Sequence, residues 1–154
     1  MSASTPARPS RTPYGPRSPV SDPTRRTTRQ QRGADAEALV ADLLRAAGWR
    51  ILATNLRVGR DEIDLLAVDP GPPATMVVVE VRSLRSNLFG APEERVDRAK
   101  VSRLYRALAK LRSLGSASLD VDLPIRLASR VDLVVVDGRF GRAEVRHLRA
   151  LEPP

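Results

Sequence analysis

Residues 61–82 read DEIDLLAVDPGPPATMVVVEVR. Two runs of strand-forming residues, EIDLLAV (62–68) and MVVVEV (76–81), flank the turn cluster DPGPP at 69–73. So short a connection makes the two strands antiparallel neighbours. Each run holds an acid where the pattern favours an apolar side chain, Asp64 in the first and Glu80 in the second. Side chains alternate along a strand, so Val78, Glu80 and Arg82 share one face while Val77, Val79 and Val81 share the other. A carboxylate buried without a partner is costly, or neutralises through a shifted pKa. Two such acids on strands about 4.8 Å apart can converge on one hard cation. Mg²⁺ accepts oxygen ligands and keeps some of its waters, and a water is the nucleophile that phosphodiester hydrolysis needs. Structural ion pairing with Arg57, Arg60 or Arg82 at a sheet edge fits the pattern equally well.

Outward from this stretch the chain alternates helix and strand. Upstream, GADAEALVADLLRAAGW (33–49) places Ala36, Leu39, Val40, Leu43, Leu44 and Ala47 at helical spacing, with Gly48 just past the end. WRILATN then reads as a strand, with Gly59 turning it into the next. Downstream, a long helix is predicted from roughly Pro92 to Ser113, with Val101, Leu104, Tyr105, Leu108 and Leu111 as its apolar stripe. RVDLVVV (130–136) is a buried strand by its continuous apolar run. An Asp-Gly turn at 137–138 leads to a last strand, Glu144–Leu148. The order αβββαβ, plus a trailing strand, predicts an α/β domain with a mixed central sheet flanked by helices.

A chain of 154 residues has room for one such domain, assigned here to residues 33–150. Residues 1–32 carry six prolines, and seven arginines against Asp22 alone, so they read as a disordered basic tail. That tail accounts for most of the formal charge of +8 and favours non-specific contact with nucleic acid. In the long helix, Lys100, Arg103 and Arg106 are candidate nucleic-acid contacts. The same residues, interleaved with Glu93, Glu94 and Asp97, also fit a solvated face. Only Lys100 and Lys110 among the 26 basic residues are lysine. The absence of cysteine excludes disulfides and thiolate metal sites. No apolar run approaches the ~20 residues of a membrane span, and no charged-then-apolar start is present. The expectation is a cytoplasmic protein with no membrane partner.

DEIDLL followed by VVVEVR resembles the GEIDLI…VFVEVK signature of the YraN family. The likeness covers roughly residues 33–137, including Glu37, Asn55-Leu56-Arg57, Gly90, Lys100 and RVDLVVV. The resemblance implies a restriction-endonuclease-like core, as in Holliday-junction resolvases. It makes Asp64 and Glu80 ligands of Mg²⁺ or Mn²⁺, the backbone carbonyl of Val81 a third ligand, and Glu37 an accessory carboxylate. Glu37 taken alone fits an exposed acid near a helix N-terminus slightly better. The chain departs from the family at Arg82, where a lysine is expected, and at Asp61, where glycine is expected. Lysine can orient or deprotonate a water; arginine stays protonated, though it can hold a phosphate. The implied function is nuclease-like binding of DNA or RNA with metal-dependent phosphodiester hydrolysis. The alternative is a catalytically inactive nucleic-acid-binding module. His147 reads as an edge-strand residue and Asp132 as the salt-bridged start of a strand.

Overall fold

The computed structural model describes residues 27–84, 97–115, 119–139 and 142–153. The expected tail through residue 26, Gly90, and the start of the long helix at Pro92 lie outside them. Helix α1 (Thr28–Ala46) opens with a capping box. The Thr27 hydroxyl accepts from the Gln30 amide, and the Gln30 side chain accepts from the Thr27 amide. The helix therefore starts five residues before Gly33 and takes Thr28–Arg32 out of the expected tail. At its other end Gly48 has φ 85°, its N–H donates to Arg45, and the Trp49 N–H donates to Leu44, both at 2.9 Å. This Schellman closure needs the left-handed residue that glycine supplies, and it delivers Trp49 into the core beside Leu44.

Strands β1 (Arg50–Val58), β2 (Asp61–Asp69), β3 (Thr75–Leu84), β4 (Ala128–Arg139) and β5 (Arg142–Leu148) form one sheet in that spatial order. Helix α2 (Arg98–Leu114) connects β3 to β4. All neighbours are antiparallel except β3 and β4, which run parallel. The αβββαβ order, the mixed sheet and its flanking helices thus match the expected restriction-endonuclease-like core. Val40, Leu44, Leu65, Val77, Val79 and Val134 fill the α1 side. Met76, Val78, Leu104, Leu108, Leu111 and Val131 fill the α2 side. Full burial of each such side chain contributes about 1.5–3 kcal/mol. Covered on both faces, β4 needs the unbroken apolar run that its sequence shows.

One expected turn is displaced. Asp137 and Gly138 do not turn the chain; they pair with Glu144 and Ala143, and the reversal falls between Arg139 and Arg142. Asp137 also pairs with Leu84 on the β3 side, so ladders on both edges hold it extended against its local turn preference.

Asp132 lies in the buried stretch of β4, residues 131–136, and is fully inaccessible, at 0% exposure. Its oxygens take hydrogen bonds from Arg130 Nε and the Ala150 amide, each at 2.9 Å, and lie 2.9 Å from His147 Nε2. Arg130 also donates to Asp69 at 2.7 Å. The guanidiniums of Arg130 and Arg149 sit 5.5 and 5.6 Å from the Trp49 ring centre. Asp132 is thus salt-bridged as expected, and His147, on edge strand β5, completes its network. Burial raises the Asp132 pKa, but the hydrogen bonds from His147, Arg130 and Ala150 outweigh it and hold the carboxyl below its usual 3.8. A lowered carboxyl pKa stabilises the fold above the unfolded-state value and is lost as pH falls through the folded one. Replacing Asp132 by Asn is expected to cost about 1–3 kcal/mol, because the half-buried Arg130 keeps Asp69 but its hydrogen bonds to this position lose their charged acceptor. Urea denaturation from pH 7 down to pH 2.5 should show the wild type losing more stability than the variant on the acid side. Equal acid losses in the two proteins would remove this role.

Candidate metal centre

The candidate centre arises where β2 parts from β3. Their ladder runs from Asp69↔Thr75 to Leu65↔Val79 and stops there. One position later, the Val81 amide donates to Asp64 Oδ2 at 2.8 Å. The carboxylate thus takes up a main-chain donor next to the end of the ladder. Between the pairs Thr54↔Leu65 and Leu56↔Ile63 lies Asn55, left-handed at φ 51°, a conformation asparagine tolerates better than most residues. Across this kink the side chains exchange faces. Leu65 belongs to the α1 core and Ile63 to the α2 core, although residues two apart in a regular strand share a face.

The hairpin tip beyond the kink leans on α2. Val58 and Ile63 pack with Leu104 and Leu111. Arg106 grips Asp61 with two hydrogen bonds of 3.0 and 2.7 Å, and they hold the Asp61 carboxyl below its ordinary range. Gly59 turns the hairpin at φ 67°, with the Lys110 ammonium where a side chain on Gly59 would go. The departure from the family at Asp61 therefore has a structural use, fastening the tip to the helix.

Glu80 follows Val79 on the opposite, α2-facing side of β3, and its side chain is 8% exposed. Its Oε2 lies 2.9 Å from Lys100 Nζ, while Oε1 lies 3.6 Å from Arg82 Nε. Lys100 is thus the cation that faces the buried Oε2. Burial, and then the facing Asp64 carboxylate, push the Glu80 pKa up to about 7; Lys100 pulls the other way without cancelling them. Asp64 and Glu80 also stand within side-chain hydrogen-bonding reach of each other. Two acids so placed call for a shared proton or a cation. A divalent ion fits this donor set: two carboxylates converge, and the cations beside Glu80 leave its pKa raised. Among the described residues no group of three or more His, Cys, Asp or Glu side chains is arranged to hold a metal. Two carboxylates with retained waters suit Mg²⁺.

The other predicted residues fall into three places. Val81 lies at the fork, its amide committed to Asp64. Glu37 lines a hollow between α1 and β1 with Ala41, Thr54, Asn55 and Leu65, beside the kink rather than among the groups around Glu80. Arg103 lies 3.9 Å from Asp97 and Arg106 is committed to Asp61, whereas Lys100 points to Glu80. The three helix cations that sequence grouped as nucleic-acid contacts are thus differently employed. Glu62, on the strand of Asp64, is exposed. Sequence reasoning missed Arg29 and Arg32, which line a groove with Arg82. The signal for them was Thr27-x-x-Gln30, a capping box inside a segment whose composition reads as tail.

The family model and the relatives agree with the signature. A family model described as uncharacterised protein family UPF0102 matches residues 36–136. A UPF0102 protein of Paenarthrobacter aurescens is 38% identical over 120 residues, covering 77% of this chain and 91% of that one. Another, from Symbiobacterium thermophilum, is 40% identical over 115 residues, covering 74% and 89%. Among solved structures, SfsA of Pyrococcus furiosus in complex with Ca²⁺ aligns at TM-score 0.33 and 13% identity, over 80% of this chain and 64% of that one. Among the described residues, no helix is long and apolar enough to cross a membrane. On its signature, its family-model match and its relatives, the chain belongs to the uncharacterised protein family UPF0102, the YraN family.

Proposed function

We propose that this protein is a nuclease-like enzyme that hydrolyses phosphodiesters of DNA or RNA, with Asp64, Glu80 and the Val81 carbonyl holding Mg²⁺ or Mn²⁺. One observation carries this reading: two carboxylates meet at the β2–β3 fork, and Lys100 does not offset the burial and repulsion that raise the Glu80 pKa. When bound, the cation supplies Lewis-acid stabilisation of charge on the scissile phosphate. Asp64 is held for this task by the Val81 amide, which fixes its carboxylate at the fork. Arg82, 42% exposed beside Glu80, binds a phosphate oxygen and offsets developing negative charge. Lys100 stands in for the lysine that the family carries at position 82. Its ammonium, 2.9 Å from Glu80, orients the attacking water and offsets negative charge developing on the phosphate. Glu37, in the hollow beside the kink, is an accessory carboxylate in this scheme.

Calorimetric titration with Mg²⁺ and with Mn²⁺ is expected to show binding to the wild type and at least tenfold weaker binding to Asp64→Asn. Equal affinity in the two proteins overturns the metal assignment. Replacing Lys100 by Met should lower divalent-dependent cleavage by about 10²–10³-fold. Metal affinity should rise in that variant, because the ammonium no longer competes for Glu80. Undiminished cleavage in Lys100→Met removes the lysine from the reaction.

A second reading, a catalytically inactive nucleic-acid-binding module, draws on the two cations that already lean on Glu80. Under it, nucleic-acid affinity is indifferent to Mg²⁺, and Arg82→Lys creates no cleavage. Under the first reading, Arg82→Lys retains or raises activity.

A further inference from the structure

The first two turns of α1 and the end of β3 enclose a groove of about 640 Å³ that neither the carboxylate pair nor the expected contacts on α2 explain. Thr28, Arg29, Arg32 and Gly33 form one wall, and Val81, Arg82, Ser83 and Leu84 the other. Three guanidiniums line it, and none of the described lining residues is acidic. Arg29 and Arg32 are one turn apart and so lie on the same side of the helix. The first turn of α1 also lacks an acid. Cations at that end oppose the helix dipole, which favours negative charge there. Folding alone gives no reason to gather them, whereas an anion in the groove does.

The groove joins the carboxylate pair through two residues. Val81 lines it and donates its amide to Asp64; Arg82 lines it and stands 3.6 Å from Glu80. An occupant lying along it therefore passes the β3 residues that adjoin the fork. Its volume falls in the range of about 300–1,000 Å³ typical of ligand sites. The described lining offers three arginines, two hydroxyls and aliphatic walls, with no aromatic ring for stacking.

We propose that this groove seats the phosphodiester backbone flanking the bond at Asp64 and Glu80, with Arg29 and Arg32 as its phosphate contacts and without sequence preference. The assignment rests on the proposed nuclease-like function. The test measures binding of the full chain to fluorescent single-stranded and duplex oligonucleotides by anisotropy, over a series of salt concentrations. Removing both cations in Arg29→Ala/Arg32→Ala should lower the salt slope of log affinity by about 1.4 on single strands and about 1.8 on duplex. Affinity at low salt should fall at least tenfold, equally for oligonucleotides of different sequence. Arg29→Lys/Arg32→Lys should keep the slope, and calorimetric Mg²⁺ binding should survive in both variants. Arg50→Ala/Arg57→Ala, which removes two exposed charges from β1, serves as the reference.

A slope in Arg29→Ala/Arg32→Ala no lower than in that reference overturns the groove and leaves the metal centre standing. Loss of slope in the lysine variant as well marks a structural effect and also overturns it. A wild type that binds neither oligonucleotide at low salt overturns the groove and the nuclease-like reading together.

Discussion

The hydrogen bond from the Val81 amide to Asp64 is the constraint from which the rest of the site follows. An interior strand must satisfy its main-chain donors, and the neighbouring strand normally does so. Here a side chain takes that part at the point where the β2–β3 ladder ends. The exchange keeps the amide satisfied, frees the hairpin tip to swing onto α2, and presents a carboxylate next to Glu80. Asn55 in its left-handed conformation and the change of faces between Leu65 and Ile63 are the backbone's accommodation of that swing.

Two buried acids on adjacent strands of this sheet meet opposite fates, and the contrast separates scaffold from site. Asp132 is wholly inaccessible yet its pKa is lowered, because a guanidinium, a histidine and a main-chain amide all reach it. Glu80 is slightly less buried yet its pKa is raised, because burial and the facing Asp64 outweigh Lys100. The first carboxylate is satisfied by the fold itself. The second remains electrostatically incomplete, and local conflict of this kind is what a functional site leaves in an otherwise consistent structure. Lys100 and Arg82 moderate the conflict without removing it, which keeps the position open to a stronger cation.

The elements were legible because alternation and helical spacing are local signals, and the acids of β2 and β3 stood out against their apolar neighbours. What escaped depends on contacts between distant segments. Regular alternation cannot foresee that β2 changes faces at Asp64, since the cause is a kink in the facing strand. The Asp137-Gly138 dipeptide carries a strong turn signal, but pairing of Asp137 with both Leu84 and Glu144 overrides it. Lys100 was visible on the helix, yet its amine is aimed by the packing of α2 on the sheet. The start of α1 was legible in principle: a capping-box pair was present, and the proline and arginine around it hid it.

The way α2 is fastened changes where a polyanion is best received. From sequence, its basic residues form the obvious phosphate track. In the fold, Arg106 is spent on Asp61, Lys100 turns to Glu80, and Arg112 donates to the Leu127 carbonyl and the Ser129 hydroxyl. A cation already held by the protein must give up that partner before it can neutralise a phosphate, so it adds little to affinity. Arg29 and Arg32, by contrast, face a groove whose described lining contains no acid. The weight of positive potential therefore shifts from the crossover helix to the opening of α1, onto residues whose composition alone assigns them to a tail.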